Sequence, residues 1–398
     1  MATISGGTGM QVTLDAGSND RNGLAGNLAN QITAALTGGA LTRTDNTNPS
    51  TGAGFFVSAA VNTTIALQPA VLALALTGTR PESVVGSGGQ GQAVLAGNGN
   101  LTFYTKGGTG TVVTGDGSNL LGTPVVGGGA FTFVTDAGND TVVAASGNNT
   151  VSAGAGANLI DRGSGANLIY SNGVDTIGGG SGTGTDTVIG GGYSALIASG
   201  SKNLYFVGGT GAVTVLAGTG SDTVFVGTGG GQVTGGSAGN NRLIGGAGSA
   251  GSTLFGGGNG DVLFARGSGT SLLSAGAGNE TLTGAGSAGN NYFFAGNGSA
   301  LIGGGPGNDT IFAGSGNATV DGGAGKDLVA IVNGRAGGTV LLNGFGNNSP
   351  DQVTLQGYAA GEAARAIAAA GSSNTVVLSD NTRITFGGVS SISSSFLV

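Results

Sequence analysis

Apolar and polar positions recur with a period of nine between Gly304 and Ala330, where the chain reads as three lines, GGPGNDTIF, AGSGNATVD and GGAGKDLVA. Each line carries glycine at its second and fourth places, a short residue at its sixth and a β-branched residue at its eighth: Ile311, Val320 and Val329. Glycine at fixed places supplies turns that need positive φ, and the residues after the sixth place alternate out, in, out as a short strand. Turn and strand therefore alternate along the chain. The same frame places Asp140, Asn149, Asn158, Asn167 and Asp222 sixth in TDAGNDTVV, AASGNNTVS, AGAGANLID, RGSGANLIY and AGTGSDTVF. Insertions at GGSAGNNRLI, GGAGSAGSTLF and GAGSAGNNYFF lengthen the unit by a residue or two without ending it.

The pattern G-G-x-G-x-D-x-U-x resembles the RTX repeat of secreted bacterial proteins. That resemblance implies an all-β fold, a parallel β-roll or β-solenoid with about 18 residues per coil. It also implies Ca²⁺ held between stacked turns at each edge. Eighth-place residues such as Val142, Val151, Ile160, Ile169, Val224 and Leu263 are expected to fill a thin core in two facing rows.

Three segments follow from where the frame starts and stops. Residues 1–80 lie outside it; Leu24, Leu28, Ile32 and Leu36 recur there at helical spacing, and AGFFVSAAV and TIALQPAVLALAL read as strands. This segment is read as a cap or an assembly module. Residues 81–333 are the roll, and residues 334–398 a closing segment with a short helix at GEAARAIAAAG and a hairpin at TVVLSDNTRITF, Asp380 and Asn381 in its turn. The tail VSSISSSFLV resembles the uncleaved signal of type I secretion substrates. The first residues show neither a basic region nor an apolar run, so export is expected through the type I machinery to the cell surface or beyond.

Composition narrows the function. The chain has 90 glycines in 398 residues, no cysteine and no histidine, which removes thiol chemistry and the commonest general base. A net charge of −7, with 12 lysines and arginines scattered along the chain, argues against nucleic acid as a partner. The longest apolar run is too short for a membrane span. No hydrolase, metalloprotease or phosphate-loop motif stands in a credible context, so an enzyme is not expected.

The sixth places are where metal chemistry would sit. Asp309 and Asp327, 18 residues apart, are expected to stack on one edge and to make the best calcium site; Asp140 and Asp222 are further candidate ligands. Asp175, Asp186, Asp261 and Glu280 are possible single-carboxylate ligands. Asn149, Asn158, Asn167, Asn203 and Asn291 are uncharged, and Ser252 and Ser271 offer only a hydroxyl. Two readings stay open for these places: an asparagine ladder that needs no metal, or a roll that folds on a few Ca²⁺ ions.

The ninth places carry a different signal. Tyr170, Phe206, Leu216, Phe225, Ile244, Phe255, Phe264, Phe294 and Phe312 are expected to point outward. Phe225, Ile244 and Phe264 should form one stripe, and Phe255, Phe294 and Phe312 another, as surfaces for packing on a second copy. The expected function is a secreted structural protein that self-associates into a fibre, sheet or surface layer, such as a biofilm matrix or cell coat. The alternative is a calcium-binding adhesin or surface-layer-like subunit that folds on export; a third is ice or surface binding by threonines such as Thr141, Thr187 and Thr310.

Overall fold

The computed structural model describes residues 2–6, 10–14, 19–44, 54–58, 64–67, 73–76, 79–122, 129–144, 146–182, 184–192, 195–198, 200, 203–346 and 349–398. Residues 53 and 59–61 of AGFFVSAAV and residues 68–72 of TIALQPAVLALAL lie outside them. The chain divides into two units, Met1–Lys202 and Asn203–Val398. Each is a length of parallel β-solenoid, as the nine-residue period predicts.

In the first unit, short strands alternate between two parallel ladders. One runs from Gly54–Ser58 through Ala73–Leu76, Gln92–Ala96, Gly110–Val113, Phe131–Val134, Thr150–Ala153 and Leu168–Ser171 to Thr185–Gly190. The other includes Glu82–Val85, Leu101–Tyr104, Leu120–Gly122, Thr141–Val143, Leu159–Asp161 and Asp175–Gly178. Parallel pairing already involves strands before residue 81. The eighth-place residues Val142, Val151, Ile160, Ile169, Ile177 and Val188 are all 0 % exposed. One inward side chain per short strand is as much as so narrow a coil can hold.

Helix α1 (Asn19–Thr37) covers a side face of this ladder. Its Ala29 and Ile32 pack on Ala73, Ala75, Ala93, Leu95, Val113 and Val134, with Leu28 and Leu36 at the margin. These strands bury both faces, which is why ALAL and AVLA read as continuous apolar runs rather than alternating ones.

In the second unit, one ladder runs from Asn203–Val207 through Thr223–Phe225, Arg242–Ile244, Val262–Gly267, Asn279–Ser287, Ser299–Pro306 and Ala318–Ala324 to Thr339–Asn343. The facing ladder runs from Val213–Leu216 through Gly231–Thr234, Ser252–Phe255, Leu272–Ser274, Tyr292–Phe294, Thr310–Phe312 and Leu328–Val332 to Gln352–Gln356. The second and fourth places bend the chain from one ladder toward the other: Gly323, near the end of Ala318–Ala324, has φ 90° and Gly325, just past it, φ 139°, where a Cβ would be strained.

Here the register corrects the sequence reading by one residue. Tyr205, Phe206 and Val207 pair with Thr223, Val224 and Phe225, so Phe206 is an eighth-place residue and Asn203 a fifth-place one. Phe206 is 0 % exposed and belongs to the core, not to an outward stripe. A slip of one residue exchanges inside for outside along a whole strand.

The last strands of this unit are covered. Arg383–Phe386 adds in parallel to Thr339–Asn343 and carries Thr375–Val377 as an antiparallel hairpin partner, with Asn381 at φ 68° in the turn. Helix α2 (Glu362–Ala370) leads into that hairpin. The other edge is closed by the tail: Val353 N–H donates to the Phe396 carbonyl at 3.2 Å, and Val398 N–H to the Val353 carbonyl at 2.8 Å. Exposed N–H and C=O groups of a strand edge are thereby satisfied within the chain.

Candidate metal centre

Sixth-place side chains are buried in the turns, and their first oxygen is spent on the backbone. In the first unit, Asn119 N–H donates to Asp140 Oδ1 at 2.8 Å, Asp140 N–H to Asn158 Oδ1 at 2.9 Å, and Asn158 N–H to Asp175 Oδ1 at 3.1 Å. On the opposite edge, Phe131 N–H donates to Asn149 Oδ1, Asn149 N–H to Asn167 Oδ1 and Asn167 N–H to Asp186 Oδ1. The second unit repeats the arrangement. Leu204 N–H meets Asp222 Oδ1 at 2.6 Å, and Asp222 N–H meets Asn241 Oδ1 at 2.9 Å. Ser252 N–H meets Ser271 Oγ, Ser271 N–H meets Asn291 Oδ1, Asn291 N–H meets Asp309 Oδ1 at 2.6 Å, and Asp309 N–H meets Asp327 Oδ1 at 2.7 Å. Stacking at this spacing makes each side chain the acceptor for a buried N–H that would otherwise be orphaned.

The second side-chain atom separates the turns into kinds. Where it is an amide nitrogen it donates to carbonyls of its own turn: Asn149 Nδ2 to Gly147 at 3.0 Å, Asn158 Nδ2 to Gly154 at 3.2 Å, Asn291 Nδ2 to Gly289 at 2.9 Å. Such a turn closes itself. Where the atom is a carboxylate oxygen it needs a donor or a cation. Asp175 Oδ2 takes the Ser171 hydroxyl at 2.6 Å, Asp351 Oδ2 takes the Ser349 hydroxyl at 2.6 Å, and Asp261 Oδ2 takes the amides of Gly257 and Gly258 at 2.6 and 3.0 Å. Asp186 Oδ2 takes Arg162 at 2.9 Å. Asp309 Oδ2, Asp327 Oδ2 and Glu280 Oε2 are buried with no hydrogen-bond donor.

Asp309 and Asp327 are each 1 % exposed, and burial pushes both carboxyls up to about 6. For Asp309 the bonds from Asn291 oppose that rise; for Asp327 the bond from the Asp309 N–H opposes it, while the charges of Asp351, Asp309 and Asp321 add to it. Burial also raises Glu280, with the Asp261 charge reinforcing and the amides of Gly276 and Gly278 opposing. Glycine keeps the space beside the open oxygens clear. A Cβ on Gly304 would lie 2.7 Å from Asp309 Oδ2 and against the Gly322 carbonyl, and one on Gly322 would lie 2.5 Å from Asp327 Oδ2.

These donors fit a hard cation. Ca²⁺ takes six to eight oxygens, and an orphaned, buried, partly repelled carboxylate oxygen is stabilised by a positive charge. Among the described residues no group of three or more acidic, histidine or cysteine side chains converges, so a calcium shell here would draw its remaining oxygens from peptide carbonyls.

A family model described as the RTX calcium-binding nonapeptide repeat matches the chain in 4 copies, over residues 134–169, 205–233 and 303–330. The chain is an RTX-like repeat protein. No curated protein and no solved structure matches it. The matched lines contain Asp140 and Asp222 as well as Asp309 and Asp327. Each of these four lies buried in a turn as a rung of the RTX-like ladder.

A second row of rungs was not anticipated from the sequence. Fifth-place asparagines accept an N–H from the next coil on the outer side of the turn: Asn139 from Ala157, Asn148 from Ala166, Asn203 from Ser221, Asn308 from Lys326. The signal was present as the recurrent asparagine just before the sixth place.

The ninth-place stripes align as columns. Phe225 pairs with Ile244, and Ile244 with Phe264; Phe255 pairs with Ser274, Ser274 with Phe294, and Phe294 with Phe312. Phe294 and Phe312 stack with ring centroids 4.7 Å apart. Ile244 is itself buried, whereas the phenylalanines are half-buried. Beside Phe225 and Ile244 a shallow groove is lined by Tyr205, Val207, Thr228 and Arg266.

Proposed function

We propose that this chain is a secreted, RTX-like structural solenoid that binds a few calcium ions in its second unit and packs sideways on its own kind. The observation that carries the calcium reading is the pair Asp309 and Asp327: stacked, buried, each with one oxygen bonded to the ladder and the other without a donor. Asparagine, serine and arginine serve the same geometry elsewhere, which argues for few ions rather than one per coil. Calcium in the extracellular range would then bind and stabilise turns whose carboxylates repel one another.

Calorimetric titration tests this. The native chain should bind Ca²⁺ with a small stoichiometry, and the Asp309→Ala, Asp327→Ala double variant should lose the tightest component. A stoichiometry near the number of turns, or a double variant that titrates like the native chain, would overturn it.

The sideways packing is supported by the two columns of half-buried phenylalanine and by the closure of the last strand edges, which leaves lateral faces for association. Among the described residues no helix is long and apolar enough to cross a membrane.

A further inference from the structure

We infer that Arg162 is a cation built into the chain: its guanidinium takes the place between two stacked turns that calcium takes elsewhere, so the Asp186 turn is a metal site closed by its own side chain. The inference rests on the calcium reading of the Asp309 and Asp327 turns. Arg162 stands at the first place of RGSGANLIY, where the lines of the 304–330 stretch have glycine or alanine. It is the largest fully buried side chain among the described residues, at 0 % exposure. Among buried side chains that are mostly aliphatic and aromatic, a guanidinium calls for a reason.

The partners supply one. Nε donates to the Gly178 carbonyl at 3.1 Å, the second terminal nitrogen to the Gly179 carbonyl at 2.6 Å, and the first to Asp186 Oδ2 at 2.9 Å. Two peptide carbonyls and one carboxylate oxygen converging on one point make an all-oxygen set of net negative charge. A hard divalent ion or a guanidinium satisfies such a set; a neutral side chain does not.

The first oxygen of Asp186 is held as that of Asp309 is. Asp186 Oδ1 accepts Asn167 N–H at 2.9 Å and Asn167 Nδ2 at 3.0 Å, as Asp309 Oδ1 accepts Asn291 N–H at 2.6 Å and Asn291 Nδ2 at 3.1 Å. Glycine lies beside the second oxygen in both turns: a Cβ on Gly180 would lie 3.2 Å from Asp186 Oδ2 and 2.9 Å from the Arg162 guanidinium, and one on Gly304 would lie 2.7 Å from Asp309 Oδ2. The two turns differ in what faces the second carboxylate oxygen: Arg162 in one, no donor in the other.

The experiment compares Ca²⁺ stoichiometry, by equilibrium dialysis of the full chain, with melting temperature in calcium and in chelator. Arg162→Gly should bind one ion more than the native chain, melt well below it in chelator and recover much of that loss in millimolar calcium. Adding Asp186→Asn should remove both the extra ion and the recovery. Asp186→Asn alone should leave the native stoichiometry unchanged. An Arg162→Gly chain with native stoichiometry, or one that stays unfolded in calcium as in chelator, makes Arg162 a plain buried ion pair and overturns the inference. So does loss of an ion on Asp186→Asn alone, since Asp186 would then hold metal already. Native binding without a gain in Arg162→Gly defeats this inference only; no binding by either chain defeats the calcium reading with it.

Discussion

A carboxamide and a carboxylate at the sixth place offer the backbone the same accepting oxygen and differ in the atom beside it. That atom decides whether a turn is complete. Replacing Asn158 by Ala removes the acceptor of the buried Asp140 N–H, and the loss is expected to cost about 1–3 kcal/mol in denaturant unfolding, calcium or not. Asn149→Asp is a different experiment, because it keeps the acceptor for Phe131 N–H but exchanges the donor to the Gly147 carbonyl for a negative charge. That variant should be weakened in chelator and restored by calcium, in paired melting curves. The acids at Asp309 and Asp327 set a pH dependence with the opposite sign to a salt-bridged carboxylate. Burial raises both from 3.8 to about 6, so the folded chain holds these protons more tightly than the unfolded one. Their contribution to stability is full below about pH 3.8 and is lost as pH rises through about 6. Melting temperature in chelator should therefore fall between about pH 4 and pH 6 by more in the native chain than in Asp309→Asn, Asp327→Asn. Calcium should remove the difference above that range, where it takes the place of the proton.

At the scale of the element, the turn is shaped by glycine as much as by acid. Gly322→Ala puts a methyl group 2.5 Å from Asp327 Oδ2, the oxygen not bonded to the Asp309 N–H. Calcium binding there should weaken severely in titration while the ladder's β circular dichroism persists. Helix α1 is held by a different force. Its buried Ala29 and Ile32 lie on the outward apolar positions of Ala73–Leu76 and Gln92–Ala96. Ile32→Ala is expected to cost about 2–5 kcal/mol, the range for truncating a buried aliphatic side chain. Hydrogen exchange should quicken first in α1, with Phe131–Val134 retaining more of its protection, since those ladder bonds do not pass through the helix.

At the scale of the whole molecule, association is a matter of lateral surface. Half-buried phenylalanine in register presents more apolar area than scattered single residues, and burying one such ring is worth about 1.5–3 kcal/mol if fully removed from water. Ile244 already lies within the fold, so truncating it would cost stability as well as contact. The cleaner test is Phe225→Ser with Phe264→Ser. This pair should leave the melting temperature near native and shift sedimentation velocity toward the monomer. Unchanged association would assign the stripe to the fold alone. Pairing through the last strands of the second unit is blocked by the Arg383–Phe386 hairpin and by the tail on Val353, so end-on growth there is not expected.

The nine-residue period by itself determined the coil, the turn glycines and the inward row, because each is a local consequence of spacing: Val142, Ile160, Val224, Ile311 and Val329 lie where the eighth place puts them. It also placed Asp309 and Asp327 on one edge, since 18 residues make one coil there. Register across KNLYFV was not legible. Leucine takes a sixth place and asparagine the fifth, so residue type pointed one position away from the pairing of Phe206 with Val224. The docking of α1 on a side face was likewise decided by contacts distant in sequence. Above all, the fate of each second carboxylate oxygen belongs to the tertiary structure. Asp175, Asp186, Asp261 and Asp309 are one residue type at one place in the frame, yet they meet a hydroxyl, a guanidinium, two amides or no donor at all. Spacing fixes which atoms stack, but the partner of Asp186 lies 24 residues away and reaches it only because the coils bring two turns together.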